Sequence, residues 1–176
     1  FQSGSSEILK KMNRHYTKES YLELVRKIKA AMPGIALTTD IIVGFPGETD
    51  KDFEDTMDVV REVGYTSAFT FIYSKRTGTP AATMENQIPE EVTKERFNRL
   101  LELVNEGAAK ALGSYVGQTV EVLIEEISKN NHEVLSGRTD TGILVNLPAP
   151  KELLGQYVMV NITSSKSHYL IGELAK

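Results

Sequence analysis

The sequence has no cysteine and no tryptophan among its 176 residues. Without thiols the chain can form no disulfide, no thiolate metal site and no cysteine nucleophile. It has no apolar run long enough to cross a bilayer and no stretch typical of a signal peptide. Acidic residues outnumber basic ones by 24 to 20, and the formal net charge of −4 argues against a chain that coats nucleic acid nonspecifically, although it does not exclude a focal basic site. We therefore expect a soluble, cytoplasmic protein.

Two patterns of apolar residues divide the chain. In the first part, helical spacing alternates with nearly continuous apolar runs at 35–43 and 68–73, which is typical of a parallel sheet covered by helices on both faces. In the second part, about five short strands of alternating polarity favour a small closed β-barrel. The predicted fold is therefore α/β, with a first domain at 1–113 and an all-β domain at 117–176.

The beginning of the chain predicts that it is a segment of a longer protein. It begins with Phe1 rather than methionine, and the following Gln2-Ser3-Gly4-Ser5 has the character of a strand end entering a helix. Such a segment leaves a sheet edge near Gln2 without its neighbour. We expect the isolated chain to self-associate, or to bind partners, through that edge.

The first apolar run ends in an unusual turn, Gly44-Phe45-Pro46-Gly47, and carries Asp40 shortly before it. In parallel βα sheets, ligands bind at the carboxyl ends of the strands. Glycine lets a flat ligand approach the backbone, and proline fixes the turn. The Asp40 carboxylate can accept two hydrogen bonds from a vicinal diol such as a ribose. The alternative is a tight structural turn in which Asp40 is merely paired.

Two residues that precede this strand extend the same hypothesis. Gln2 lies at the end of a preceding predicted strand, where its amide can also reach a diol. Arg14 offers a planar fork suited to a carboxylate. A diol binder, a carboxylate binder and a slot for a flat ring match the parts of S-adenosylmethionine. The alternative for Arg14 is a surface ion pair with Glu7 or Glu19.

The chain resembles the radical SAM methylthiotransferases over the string QSGSSEILKKMNRHYTKESYLELVRKIKAAMPGIALTTDIIVGFPGET. The string SAFTFIYSKRTGTPAA is similar to the branch of that family that modifies tRNA. The segments VGQTVEVLIEE, SGRTDTGILVNLP, LLGQYVMVNIT and SHYLIGEL resemble the TRAM domain that ends these enzymes. The resemblance covers the whole chain. It implies a partial TIM-type radical SAM barrel followed by a small all-β TRAM barrel.

The resemblance also implies an S-adenosylmethionine site at the strand ends. Gln2 and Asp40 would hold the ribose hydroxyls, and Arg14 would hold the methionine carboxylate. Many radical SAM enzymes carry Gly-x-Ile-x-Gly-x-x-Glu at this point, whereas Glu48 comes one residue later and stays outside the implied set. The adenine would be flanked by Ile42, Gly44, Phe45 and Pro46.

One part of the family's machinery is missing from the sequence. These enzymes reduce S-adenosylmethionine with an iron–sulfur cluster on a Cys-x-x-x-Cys-x-x-Cys loop, and an amino-terminal domain holds a second cluster. Thiolates are the ligands of such clusters, so we expect this chain to bind neither and to be inactive without the amino-terminal half of the enzyme.

The reaction implied for the intact enzyme adds a methylthio group to C2 of N6-isopentenyladenosine next to the anticodon of tRNA. Related members of the family act on threonylcarbamoyladenosine in tRNA or on a ribosomal-protein aspartate. A non-catalytic RNA-binding module is the alternative from a different class.

Two further groups are candidates for contact with the substrate. Tyr73, Lys75 and Arg76 follow the second apolar run, and we expect their loop to face the cofactor or the substrate adenosine, although a structural turn with exposed cations is the alternative. In the second part, the acidic residues outnumber the basic ones, which favours a solvated hairpin. The resemblance instead implies that this barrel holds the tRNA anticodon stem-loop, through charge and stacking rings at Arg138, Lys166, His168 and Tyr169.

Overall fold

The computed structural model describes residues 1–128, 131 and 133–175. These residues form two compact units, Phe1–Gly107 and Ala108–Lys176. The division falls inside the long helix Glu90–Gly113. The domains expected from the sequence, 1–113 and 117–176, remain a prediction. None of the described helices combines the length and the apolar character needed to span a membrane.

The first unit consists of helices and a parallel pair of strands. Thr17 and Thr49 each begin a helix by accepting a hydrogen bond from the backbone N–H three residues on, and Gly64 ends a helix with a φ of 62°. The two strands pair in parallel from Thr38 opposite Ser67 to Val43 opposite Ile72. The elements are α1 (Ser6–Lys11), α2 (Lys18–Ala31), β1 (Thr38–Val43), α3 (Asp50–Val63), β2 (Ser67–Ile72) and α4 (Glu90–Gly113), with a 3₁₀ turn at Pro80–Thr83.

The core of this unit lies on one face of the strand pair. Ile41 and Val43 are fully buried there and belong to one apolar cluster with Phe53 and Val59 of α3. The opposite face is open: Phe69 and Phe71 of β2 are 64% and 50% exposed. The prediction that helices cover both faces is therefore wrong for β2. The helices pack only on the sheet face of Ile41 and Val43. Because successive side chains of a strand point to opposite faces, Phe69 and Phe71 of β2 point to solvent.

The second unit is a closed five-stranded barrel, which confirms the prediction of a small β-barrel. Its strands follow the order β3-β4-β5-β7-β6 around the barrel. Glycine permits the tight closure, because a Cβ on Gly137 would lie 2.4 Å from the carbonyl oxygen of Leu123. The strands are β3 (Thr119–Ile127), β4 (Val134–Thr139), β5 (Leu144–Pro148), β6 (Tyr157–Ser165) and β7 (Leu170–Leu174).

Candidate functional site

The segment that precedes α1 lies beside β1 and carries Gln2 to it. The backbone N–H of Ile42 donates to the Gln2 carbonyl oxygen at 3.0 Å, so the segment lies on the side of β1 opposite β2. The Gln2 side chain is fixed by the Tyr16 hydroxyl, which donates to its Oε1 at 2.9 Å. With Oε1 occupied, the amide nitrogen of Gln2 is the group left to donate to a ligand.

Arg14 and Asp40 lie close to the same spot. Burial lowers the pKa of the Phe1 amino group, while the charge of Asp40 raises it and the charge of Arg14 lowers it. Arg14 also acts on Tyr16, whose pKa is raised by burial and lowered by its bond to Gln2 and by Arg14. Both charged side chains are exposed. Gln2 thus lies against Ile42, two residues from Asp40 along β1, and the Tyr16 hydroxyl that binds Gln2 lies within reach of the charge of Arg14.

The turn after β1 is compact, and its glycines are needed for two reasons. Gly44 and Gly47 have φ values of 76° and 78°, in the left-handed region that side chains disfavour. A Cβ on Gly44 would also lie 2.5 Å from Cγ2 of Thr93 in α4, so packing as well as conformation demands glycine. Phe45 and Pro46 are buried, and the Phe45 ring meets Tyr73 edge-on at 5.2 Å between centroids.

Glu48 and Arg96 hold this turn in place. Glu48 Oε2 accepts from the Gly44 N–H and from Arg96 Nη1, both at 2.9 Å. Arg96 Nη1 also donates to the Glu48 carbonyl oxygen at 3.1 Å, and its Nη2 donates to Asp50 Oδ1 at 2.6 Å. Burial raises the pKa of Glu48, although the Gly44 bond and the charge of Arg96 lower it. One guanidinium therefore fixes both the turn and the start of α3.

A cavity of about 560 Å³ lies next to the turn, at the carboxyl ends of both strands. Tyr73 and Lys75 line it with Gly44, whereas Arg76 does not contribute and instead accepts hydrogen bonds from Thr79 through its carbonyl oxygen. The Tyr73 hydroxyl is buried without a hydrogen-bond partner among the described residues. Part of the predicted substrate loop thus lies beside the turn. The remaining lining residues are Ile72, Gln87, Ile88, Glu90, Thr93 and Lys94.

Sequence reasoning missed the contributions of Tyr16 and Arg96. Tyr16 gave no signal, because nothing in the order of residues shows that its hydroxyl meets Gln2. Arg96 did give a signal in the sequence. Thr93 and Arg96 precede Leu100 and Val104 at helical spacing, so two polar residues lie on the buried stripe of α4. A polar residue on such a stripe indicates a buried partner.

The predicted RNA-binding residues of the barrel lie near one end of it. Lys166, His168 and Tyr169 form the loop between β6 and β7, where the Lys166 N–H donates to the Tyr169 carbonyl oxygen at 2.8 Å. Lys166 and His168 are exposed, and Tyr169 is half-buried. The loop thus presents one positive charge and two rings to solvent at a hairpin tip.

Arg138 of β4 lies toward the same end. It is opposite Leu144, and the next residue of β5, Val145, is opposite Leu170 of β7. Two strand spacings, about 10 Å, therefore separate Arg138 from the β6–β7 loop. Arg138 is engaged on the barrel surface, because its Nε donates to Glu125 Oε2 at 3.1 Å and its Nη1 to the Gly142 carbonyl oxygen at 2.9 Å.

Comparison with known proteins finds one matching family model in each unit. Residues 1–60 match the family model of the radical SAM superfamily, and residues 113–175 match that of the TRAM domain. The tRNA-2-methylthio-N(6)-dimethylallyladenosine synthase of Lachnoclostridium phytofermentans is 58% identical over 173 residues, which cover 98% of this chain and 38% of the relative. The enzyme of the same name from Anoxybacillus flavithermus is 60% identical over 175 residues, covering 99% and 33%.

The chain thus spans less than two fifths of the length of the curated relatives it matches. Among solved structures, the apo form of Mycoplasma genitalium RNase R aligns with 49% of this chain and 18% of its own, at 14% identity. Its TM-score of 0.28 is too low to support any inference about fold or function.

Proposed function

We propose that the chain is part of a radical SAM methylthiotransferase, because its two parts match the radical SAM and TRAM family models and its relatives carry the name of such an enzyme. It supplies part of the cofactor-binding barrel and the RNA-holding domain of a tRNA-modifying enzyme. That enzyme adds a methylthio group to C2 of N6-isopentenyladenosine next to the anticodon. The observation that carries the proposal is that Gln2 lies against β1, two residues from Asp40, while the Tyr16 hydroxyl binds Gln2 close to the charge of Arg14.

The chemistry of these residues matches the parts of S-adenosylmethionine. The exposed Asp40 carboxylate accepts hydrogen bonds, the Gln2 amide nitrogen donates them, and together they suit the two hydroxyls of a ribose. Arg14 offers its fork to the methionine carboxylate. Ile42 lies on the Asp40 face of β1 and Gly44 follows at the strand end, where an adenine would lie. When bound and reduced, S-adenosylmethionine supplies the radical that starts the reaction.

The iron–sulfur clusters of the family require thiolates, and this chain has no cysteine. The cluster ligands therefore come from the rest of the parent enzyme, and the chain alone is inactive. Its own contribution is to orient the cofactor and to hold the RNA. Self-association of the isolated chain through the Gln2 edge of the sheet belongs to the same proposal.

The β-barrel binds the tRNA anticodon stem-loop through the β6–β7 loop and Arg138. The loop offers a lysine for phosphate together with His168 and Tyr169 for stacking on unpaired bases. Arg138 exchanges its half-exposed contact with Glu125 for a phosphate, which is feasible because surface ion pairs contribute little, about 0–1 kcal/mol.

The function is tested by deleting the gene that encodes the chain and analysing tRNA nucleosides by mass spectrometry. We expect 2-methylthio-N6-isopentenyladenosine to disappear, N6-isopentenyladenosine to accumulate, and the full gene to restore the wild-type pattern. Retention of the methylthiolated nucleoside would rule out this substrate. Loss of a methylthiolated threonylcarbamoyladenosine instead would identify the related tRNA enzyme, and an unchanged nucleoside pattern would favour a non-catalytic RNA-binding module.

A further inference from the structure

Two exposed aromatic rings stand beside the candidate cofactor residues. Phe69 and Phe71 are 64% and 50% exposed on β2, whereas Ile41 and Val43 of β1, on the other face of the sheet, are fully buried. The register places Phe69 directly opposite Asp40, and Phe71 directly opposite Ile42. Because paired residues of neighbouring strands project from the same face about 4.8 Å apart, the two rings adjoin the Asp40 row.

The sheet face of Phe69 and Asp40 combines an apolar ring with a charged group. It sets an exposed carboxylate, Asp40, next to the Phe69 ring. A purely apolar cover over both residues would bury that carboxylate without a partner, at a cost of several kcal/mol. A ligand that offers hydroxyl groups to Asp40 and a flat or apolar group to the rings satisfies both. The face therefore suits nucleosides.

The two sides of β1 offer different chemistry to such ligands. On one side lies the Phe1–Gln2 segment with its amide, and on the other lies β2 with its rings. In the proposed function the substrate would contact the cofactor directly, so the substrate base would lie near a ribose held by Asp40. Gln2 would use the polar side for the ribose, which would leave the aromatic side for the substrate.

We propose that Phe69 and Phe71 form the apolar wall that receives the isoprenoid group of the substrate adenosine, and so set the preference of the enzyme for isopentenylated tRNA. The assignment rests on the proposed function. The group in question is a five-carbon hydrocarbon chain attached to a flat base, and both parts gain by contact with exposed aromatic rings. The two phenylalanines are thus specificity-determining residues.

The test uses the full-length enzyme and two anticodon stem-loop RNAs, one with isopentenyladenosine and one with unmodified adenosine at the target position. Binding of each RNA is measured without S-adenosylmethionine, so the readout does not depend on turnover. In the F69A/F71A variant we expect the preference for the isopentenylated RNA to fall about tenfold, which corresponds to the loss of roughly two buried methylene groups. Affinity for the unmodified RNA should stay within about twofold, since phosphate contacts dominate it.

Two further variants separate this role from a structural one. F69L/F71L keeps an apolar wall and should retain most of the preference, and L101A removes an exposed apolar side chain of α4 and should behave as wild type. Unchanged preference in F69A/F71A would overturn the assignment. So would an equal loss of affinity for both RNAs with a lower melting temperature, because the rings would then pack against the rest of the enzyme. A wild-type enzyme with no preference and no methylthiolated product would instead contradict the proposed function.

Discussion

Arg96 of α4 donates to Glu48 at 2.9 Å, and only 5% and 1% of the two side chains are exposed. This buried pair connects a helix outside the matched radical SAM segment to the turn that follows β1. Glu48 in turn accepts from the Gly44 N–H, so the position of the turn backbone depends on a guanidinium 48 residues further along the chain. The conformation of the candidate adenine site is thereby set by α4.

Removing Arg96 should destabilise the first unit strongly. We expect R96M to lower the free energy of unfolding by about 3–5 kcal/mol, because it leaves Glu48 buried without its counter-charge. The matched control is R99M on the same helix, whose pair with Glu54 is nearly half exposed and should cost at most about 1 kcal/mol. Chemical denaturation of the chain, followed by circular dichroism, measures both.

A double variant checks the cause of the Arg96 effect. Replacing both partners in E48L/R96M should recover most of the lost stability, since two apolar side chains can replace a buried pair at little cost. If R96M proves as mild as R99M, the buried pair does not hold the turn.

The contact between Gly44 and Thr93 gives a second prediction. G44A should be more destabilising than G78A, because both residues have positive φ but only Gly44 has a neighbour, Thr93, where the Cβ would go. The added cost of overpacking is about 1–3 kcal/mol. In the T93A background, which removes the two closest atoms, G44A should lose that added cost. Thermal unfolding of the four variants measures it, and a G44A cost independent of residue 93 would exclude the contact.

Much of the fold could be predicted because local patterns fix it. Thr49 with Asp52 predicts a helix start, and the structure shows that capping box. Short alternating strands predict a barrel, and the barrel is closed. The exposure of Phe69 could not be predicted in the same way. A continuous apolar run indicates burial on both faces, and sequence does not reveal which face its neighbours leave open.

The candidate site was predictable in part, for a related reason. Asp40 and Gly44 stand out because a carboxylate and a glycine turn follow one another at a strand end. The contacts of Gln2 with Tyr16 and of Glu48 with Arg96 join residues that are distant in the chain or on different elements. Such pairs follow from tertiary packing, which a single sequence does not specify.

The β6–β7 loop gives a prediction for RNA. In the full-length enzyme, K166A should weaken binding of the anticodon stem-loop and reduce the slope of log affinity against log salt by about one. H168A should weaken binding with little change in slope, since a neutral ring stacks rather than neutralises phosphate. Filter binding across a salt series measures both.

The control for the barrel is K151A. Lys151 is also exposed, but it lies after the far end of β5, away from the β6–β7 loop. It should leave affinity and slope unchanged. Equal effects of K166A and K151A would mean that the barrel attracts RNA only through its overall charge and that the β6–β7 loop is not the binding site.

Equilibrium binding of S-adenosylmethionine to the full-length enzyme, wild type against D40N, tests the central claim most directly. The amide keeps the shape of Asp40 and removes its charge, and a hydrogen bond to a charged group contributes about 1.5–3 kcal/mol. We predict at least about tenfold weaker binding in D40N, and no change in D58N, which alters an exposed aspartate of α3 that pairs with Arg61. Equal affinities of wild type and D40N would contradict the assignment of β1 as the ribose-binding strand.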